Sequence, residues 1–367
     1  MDYNLFRTFV LISLACIISS FSSNAQVDTK FVNEFLNIGV GARAHGMHGS
    51  VTATTEDVTA AYWNPAGLSH MDTELSVSAM HASWFGGIAN YDYIGVGKVF
   101  NDRNDSYGSA TIIRMGIDNI PNTLNLIGPD GSVNYENVLE FSSADYAFLL
   151  SYAQRVGGRR SGLTMGGSAK IIYRQIGSFG SSRGFGFDFG AMYKMDNFQF
   201  GIMARDITTT VNSWSFSLTP EEQVIFERTN NAIPISSTEV ALPKIIVGGA
   251  YKSDDRQTFT YLVEGDVRFS TDGTKAGLFS GNNIGIDPSI GAELGYNKQV
   301  YFRVGFGNIQ RTLNETSSTD RSLEFQPNIG LGLALGNFNI DYALTNIGSV
   351  SGVLVSHIFS LTLNIRD

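Results

Sequence analysis

The stretch "NIGLGLALGNFNIDYALT", residues 328–345, decides the fold. Ile329, Leu331, Leu333 and Leu335 alternate with Gly330, Gly332, Ala334 and Gly336. After the Gly336-Asn337 pair, Phe338, Ile340, Tyr342 and Leu344 alternate with Asn339, Asp341, Ala343 and Thr345. A period of two with one apolar face, twice, across a two-residue turn, is the signature of a β-hairpin. The closing segment "FSLTLNI", 359–365, repeats the pattern. From residue 74 onward this period dominates, and it predicts fourteen strands at 74–83, 90–100, 107–117, 144–155, 162–176, 184–195, 198–208, 243–253, 257–269, 288–297, 299–307, 327–336, 337–345 and 354–366.

A soluble sandwich alternates in the same way, so strand length and loop rhythm discriminate. Most of these segments run about ten residues, the length that a tilted strand needs to cross a bilayer. Tight turns at 196–197, 254–256, 297–298 and 336–337 alternate with long polar connections at 118–143, 209–242, 270–287 and 308–326. Short turns on one side, long loops on the other and an even count predict an all-β chain forming a 14-stranded antiparallel transmembrane β-barrel of the outer membrane.

Composition agrees. The 367 residues include 40 Gly, 25 Phe and 15 Tyr, with 16% charged residues and a net charge of −9. No basic run suggests a nucleic-acid surface. Residues 1–25 read as a signal peptide, with an apolar run from Thr8 to Ile18 and a small-x-small site ending at Ala25. Cys16 is the one cysteine, so the processed chain has no disulfide.

On the polar side of their strands fall Asp188, Arg205, Glu264, Asp266, Arg268, Glu293, Arg303 and Asp341. Facing lipid each would be costly; facing the lumen they can pair with one another. Glycine and alanine crowd the same side and leave room for something to pack within. The segment 26–73 lacks the period of two and is the expected plug, with residues 74–367 as the barrel. Its "AYWNPAGL", 61–68, is a stiff amphipathic turn in which Tyr62, Trp63, Asn64, Pro65 and Gly67 are the expected anchor.

At these residues the chain resembles the PorV/PorQ family of outer-membrane proteins. The resemblance runs through "FLNIGVGARAHGMHGS", where His48 stands in place of a family glycine, then "YWNPAGL", "GFGFDFGAMY" (184–193), "ARDIT" (204–208), "LPKIIVGGAY" (242–251), "YFRVGFG" (301–307) and "NIDYAL" (339–344). It implies a FadL-related barrel of fourteen strands with an N-terminal plug, associated with type IX protein secretion, holding secretion subunits or exported cargo through its outer loops. The Asn-Pro-Ala turn is shared with FadL-type transporters, so the alternative is a FadL-like channel for a hydrophobic small molecule. Trp214, Phe216, Leu218, Ile225 and Phe226, apolar residues in a long outer connection, are the expected partner-binding loop.

Other chemistry finds little support. "GVGARA", 39–44, has the outline of a dinucleotide loop but neither the strand before it nor an unbroken helix after it. His45 and His48 lack the further ligands that zinc needs. A hydrolytic triad needs Ser, His and an orienting Asn or Asp on neighbouring strands; the strand region offers His81 and His357, and Ser356 and His357 are adjacent and point to opposite faces of a strand. The chain is read as non-catalytic, without cofactor, embedded in membrane lipid.

Overall fold

The computed structural model describes residues 32–101, 106–128, 130–158, 161–229, 232–254, 256–271, 279–280, 284–313, 321–347 and 355–366. The signal-peptide reading, Cys16 and the start of the expected plug lie outside them. The strands are β1 (Leu75–Trp84), β2 (Ala89–Asn101), β3 (Ser106–Asn122), β4 (Leu139–Arg155), β5 (Leu163–Ile176), β6 (Gly180–Met195), β7 (Phe198–Arg205), β8 (Thr210–Phe216), β9 (Thr238–Ala241), β10 (Lys244–Lys252), β11 (Phe259–Ser270), β12 (Phe279–Ser280), β13 (Gly285–Tyr296), β14 (Val300–Leu313), β15 (Arg321–Leu335), β16 (Phe338–Thr345) and β17 (Ser356–Ile365).

Successive strands pair antiparallel, and β17 closes on β1 in the register Leu75↔Ile365. β7 and β8 both pair with β6 and form one stave, β9 and β10 form the next, and the two-residue β12 pairs only with the start of β13 and adds no stave. The result is a closed barrel of 14 antiparallel strands. Each strand predicted from the period of two corresponds to one stave. The outer connections are shorter than the sequence suggested: β3 and β4 run on to Asn122 and from Leu139, and a helix, Pro220–Arg228, stands in the longest connection. Thr219 caps that helix with a reciprocal capping box to Glu222.

The two faces of the wall differ as the alternation demands. Outward side chains such as Leu150, Ile171, Phe187, Val263, Leu294 and Leu331 are exposed. Their inward neighbours are small or buried. Described residues 32–73 lie against this inner wall, with Val40, Met47, Val51, Ala53 and Val58 wholly buried. One apolar cluster unites Phe35, Leu36, Val40, Met47 and Trp63 of this segment with Met80, Tyr91, Ile113, Leu149 and Ile172 of the wall. The core of the molecule is therefore the contact between the N-terminal segment and the barrel. No described helix is long and apolar enough to cross a membrane.

Glycine sets how closely the two approach. A Cβ on Gly201 would stand 2.3 Å from the Thr52 carbonyl oxygen, and one on Gly190 would stand 2.0 Å from Asn64 Oδ1. Gly201→Val is expected to unseat the N-terminal segment at a cost of about 1–3 kcal/mol or more. Trypsin should then cut at Arg43, and intact-mass analysis of the digested barrel reads this directly.

Candidate functional site: the seat of the N-terminal segment and a gap in the wall

The "AYWNPAGL" turn is built from a four-residue helix, Ala60–Trp63, an extended Asn64 and a 3-10 helix, Pro65–His70. Proline suits the first position of that second helix because its missing N–H has no intrahelical partner there. The Asn64 amide donates to Thr52 O at 2.8 Å and reaches Ala191 O (3.3 Å) and Ile202 O (3.5 Å) of the wall, while Asn64 Oδ1 accepts from the Ala66 N–H. Trp63 Nε1 donates to Val40 O at 2.7 Å, and the Tyr62 hydroxyl donates to Leu36 O. The Tyr62 and Trp63 rings meet edge to face at 4.9 Å. Arg205 of β7 lies 4.4 Å over the Tyr62 ring and donates to its hydroxyl and its carbonyl, each at 3.2 Å. Gly67 packs on the Thr55 carbonyl, where a Cβ would stand 2.2 Å away. All five expected anchor residues thus converge on one contact region.

The inward charges sort into groups that the sequence left open. Arg303 bonds Glu293 (2.6 Å) and Asp341 (2.6 Å), and Arg43 of the N-terminal segment joins Glu293 at 3.1 Å. Arg268 faces Asp287 at 3.7 Å. Glu264 and Asp266 bind backbone instead of cations: Glu264 accepts from the Ala53 N–H at 2.6 Å and from the Thr54 hydroxyl, and Asp266 accepts from the Thr52 N–H at 3.1 Å. Asp188 holds Lys170 at 2.8 Å, and Lys170 also meets Asp206 at 2.5 Å. Sequence reading missed Lys170, Asp206, Asp287 and Arg43. The alternation in "GSAKII" already put Lys170 on the inner face, whereas the other three lie outside the predicted regular strands or at their edges.

Beside Asp206 the wall is interrupted. β6 pairs with β8 as far as Phe185↔Val211 and resumes with β7 at Phe189↔Ala204, so stave seven carries three residues more than its partner. Ile207 N–H donates to Phe187 O at 3.0 Å as the one backbone–backbone bond described across the interval, and Asp206 N–H donates to the Asp188 carboxylate at 2.7 Å. Asp206 and Thr209 take left-handed backbone angles (φ 55 and 65) to make the detour. On the other side, residues 242 and 243 separate β9 from β10, and Pro243 has no N–H to offer a ladder. Behind the gap stand Val32, Asn33, Leu36 and Asn37 around a small residual cavity. Asn33 is 5% exposed, in the left-handed region at φ 56, and its side-chain amide makes no hydrogen bond within the described protein.

Two polar cavities flank the N-terminal segment. One, about 320 Å³, opens toward the short-turn side among Arg43, Asp57, Lys252, Glu293 and Arg303. The other, about 240 Å³, lies toward the long connections among His48, Trp84, Arg268, Asp287 and Asn328. His48 holds φ 52. At the outer end, Ile127, Leu139, Val224 and Ile225 border a groove of about 550 Å³ between the β3–β4 connection and the helix Pro220–Arg228.

The expected partner-binding loop does not form one surface. Trp214 and Phe216 belong to β8 rather than to a loop. The Trp214 side chain turns inward, 6% exposed, stacked on Phe216 at 5.7 Å and beneath Arg174 at 5.1 Å. The three extra residues break the period of the stave here, which gives the sequence of β8 the look of a loop. Leu218, Ile225 and Phe226 are half-buried, and Ile225 alone of the five borders the groove.

His45 and His48, outside the spanning strands, are both held at about pKa 4. Burial is the main cause for each, assisted by His48 beside His45 and by Arg268 beside His48. An imidazole whose folded pKa lies below its ordinary 6.5 stabilises the seated state fully above that value, and the contribution is lost as pH falls from about 6.5 toward 4. Hydrogen exchange of residues 32–73 is expected to accelerate over that window in the wild type and less in a His45→Gln/His48→Gln variant. Separately, Trp63→Ala is expected to loosen the seat by about 3–5 kcal/mol, read as protease sensitivity of the same segment.

No protein-family description matches the chain, and no curated protein does. Solved structures do. The toluene transporter TbuX of Ralstonia pickettii matches at 15% identity with a TM-score of 0.54, over 89% of this chain and 99% of its own. The toluene transporter TodX of P. putida matches at 13% identity and TM-score 0.55, over 90% and 99%. The CymD monoaromatic hydrocarbon channel matches at 13% and 0.53, over 90% and 98%. These likenesses are of fold, and they do not extend to the PorV/PorQ resemblance or the secretion role that it implied. The chain shares the fold of these transport barrels, a closed antiparallel β-barrel of 14 strands.

Proposed function

We propose that the protein is an outer-membrane channel for small hydrophobic molecules, with residues 32–73 as its plug. The observation that carries this reading is the gap in stave seven with the start of the plug seated behind it. Both interior cavities are lined by charges, an unfavourable path for an apolar solute. The groove at the outer end is lined by Glu136, Glu221 and Arg228 as well as by Ile127, Leu139, Val224 and Ile225, and this apolar part is the kind of surface that removes such a solute from water. An apolar molecule held there reaches the hydrocarbon of the membrane more cheaply through the wall than through the charged axis. The TbuX, TodX and CymD likenesses support this class of cargo, toluene and monoaromatic hydrocarbons being what those proteins are described as carrying.

The secretion reading rests on sequence resemblance. Its remaining candidate surface is Leu218, Ile225 and Phe226 around the outer helix, and the same variant tests both readings. Val224→Glu combined with Ile225→Glu is expected to reduce toluene uptake by cells expressing the barrel tenfold or so, which corresponds to about 1.4 kcal/mol of capture. Uptake equal in cells with and without the wild-type barrel overturns the channel. Loss of a co-purifying exported protein, with uptake unchanged, supports secretion in its place.

A further inference from the structure

The outward face of the barrel is apolar almost throughout; on β11 it presents Phe259, Tyr261, Val263, Val267 and Phe269. On β1–β3 it is interrupted. His81 Nδ1 donates to Asp92 Oδ1 at 2.7 Å, and Arg114 NH1 donates to Asp92 Oδ2 at 3.3 Å. These three residues are direct register partners on neighbouring strands. All face outward, since Met80, Ala82, Tyr91, Tyr93 and Ile113 between them are buried inside. Two residues beyond His81 on the same face of β1 stands Ser83, opposite Asn90 on β2 and His357 on β17. The turn after β1 brings Gly87, at φ +94, over the serine: a Cβ there would stand 3.6 Å from Ser83 Oγ.

We propose that Ser83, His81 and Asp92 form a lipid-facing acyl-ester hydrolase site, with Ser83 as nucleophile, His81 as general base and Asp92 as positioning residue. Residues two apart on a strand stand about 6.7 Å apart; in the structure His81 is bonded to Asp92 and not to Ser83, so the Ser83 hydroxyl must turn toward Nε2 when substrate is bound. The bond to Asp92 occupies Nδ1 with the ring proton and leaves Nε2 as the basic nitrogen, the tautomer that a serine nucleophile needs. Asn90, across from Ser83, is the side-chain amide in register to donate to an oxyanion.

The level in the membrane selects the substrate. Ser83 is the penultimate residue of β1, and below it on the same face lie Ala79, Val77 and Leu75, with exposed Ile94 and Phe359 alongside. That is the outer edge of the apolar band, where ester carbonyls of outer-leaflet lipids lie. Arg114 extends over Gly116 toward the outer end, its NH2 2.6 Å from where a Cβ of that glycine would stand. A guanidinium so placed suits the phosphate of the same lipid. In the reaction Ser83 Oγ attacks the ester carbonyl while His81 Nε2 takes the hydroxyl proton. The ester C–O bond then breaks as His81 returns that proton to the departing glycerol oxygen. Water, deprotonated by His81, cleaves the acyl-serine, releases a fatty acid and restores the hydroxyl.

Of the two strand histidines, His81 and His357, the sequence places a serine directly beside His357 alone, and that pair supports no triad. Ser356 is indeed wholly buried on the inner face, away from His357. Ser83 stands two residues beyond His81 on the same strand, whereas Asp92 meets His81 only through the register of β1 with β2. The proposal is independent of the channel reading.

The test uses the full barrel in vesicles of phosphatidylethanolamine with a fluorescent acyl chain, and in parallel a fluorophosphonate probe. Wild-type protein is expected to release fatty acid and to take the label. Ser83→Ala should abolish both, and His81→Ala should lower release about 100-fold. Asp92→Asn should lower kcat tenfold or more with KM unchanged, a split that a purely structural ion pair does not produce. Unchanged heat-modifiability on electrophoresis shows that each variant has folded. Absence of release and label in the folded wild type, or release undiminished by Ser83→Ala, overturns the site.

Discussion

A barrel of fourteen strands is too wide for its own side chains to fill, and every other feature of the interior follows from what fills it. The N-terminal segment has little regular structure, so its backbone N–H and C=O groups enter the barrel needing partners. The wall supplies them: Glu264 and Asp266 accept from Ala53 and Thr52, while the Asn64 amide spans Thr52 and the wall carbonyls of Ala191 and Ile202. Buried carboxylates that would be costly alone are satisfied by donors that would be equally costly alone.

The same constraint explains the distribution of size and charge along the inner face. Where the segment's backbone comes closest the wall is glycine, as at Gly201 against Thr52 and Gly330 against Gly46. Where its side chains are bulky the wall is apolar, as around Trp63 and Met47. Where it leaves space the wall is charged and the space is polar, which gives the two cavities. The apolar surfaces accessible from outside are therefore the groove at the outer end and the lipid-facing wall, with the interrupted stave between β6 and β10 on the latter.

Legibility in the sequence varied with the range of the interaction involved. The strands were readable because alternation is a local property, and the turn at 61–68 was readable because proline, asparagine and two aromatics in a row restrict the chain locally. Trp214 and Phe216 were misassigned for a local reason too: the extra residues at 206–209 break the period, so a continuing stave looked like a loop. The partners of the inward charges were not readable. Glu264 might equally have faced a cation, and only the seated segment shows that it faces a backbone amide.

From its sequence alone the chain determined an antiparallel barrel, its fourteen strands, the side on which the short turns lie and the segment that lacks strand character. A side-chain period of two needs no knowledge of neighbours. Tertiary structure decided the cross-strand register, and with it the Lys170, Asp188 and Asp206 cluster, the gap in the wall and the meeting of His81 with Asp92. Each of these depends on which residue of one strand stands opposite which residue of the next. A slip of a single residue would leave the alternation looking equally regular while exchanging the faces, so the pattern that announces the barrel cannot by itself say which groups meet.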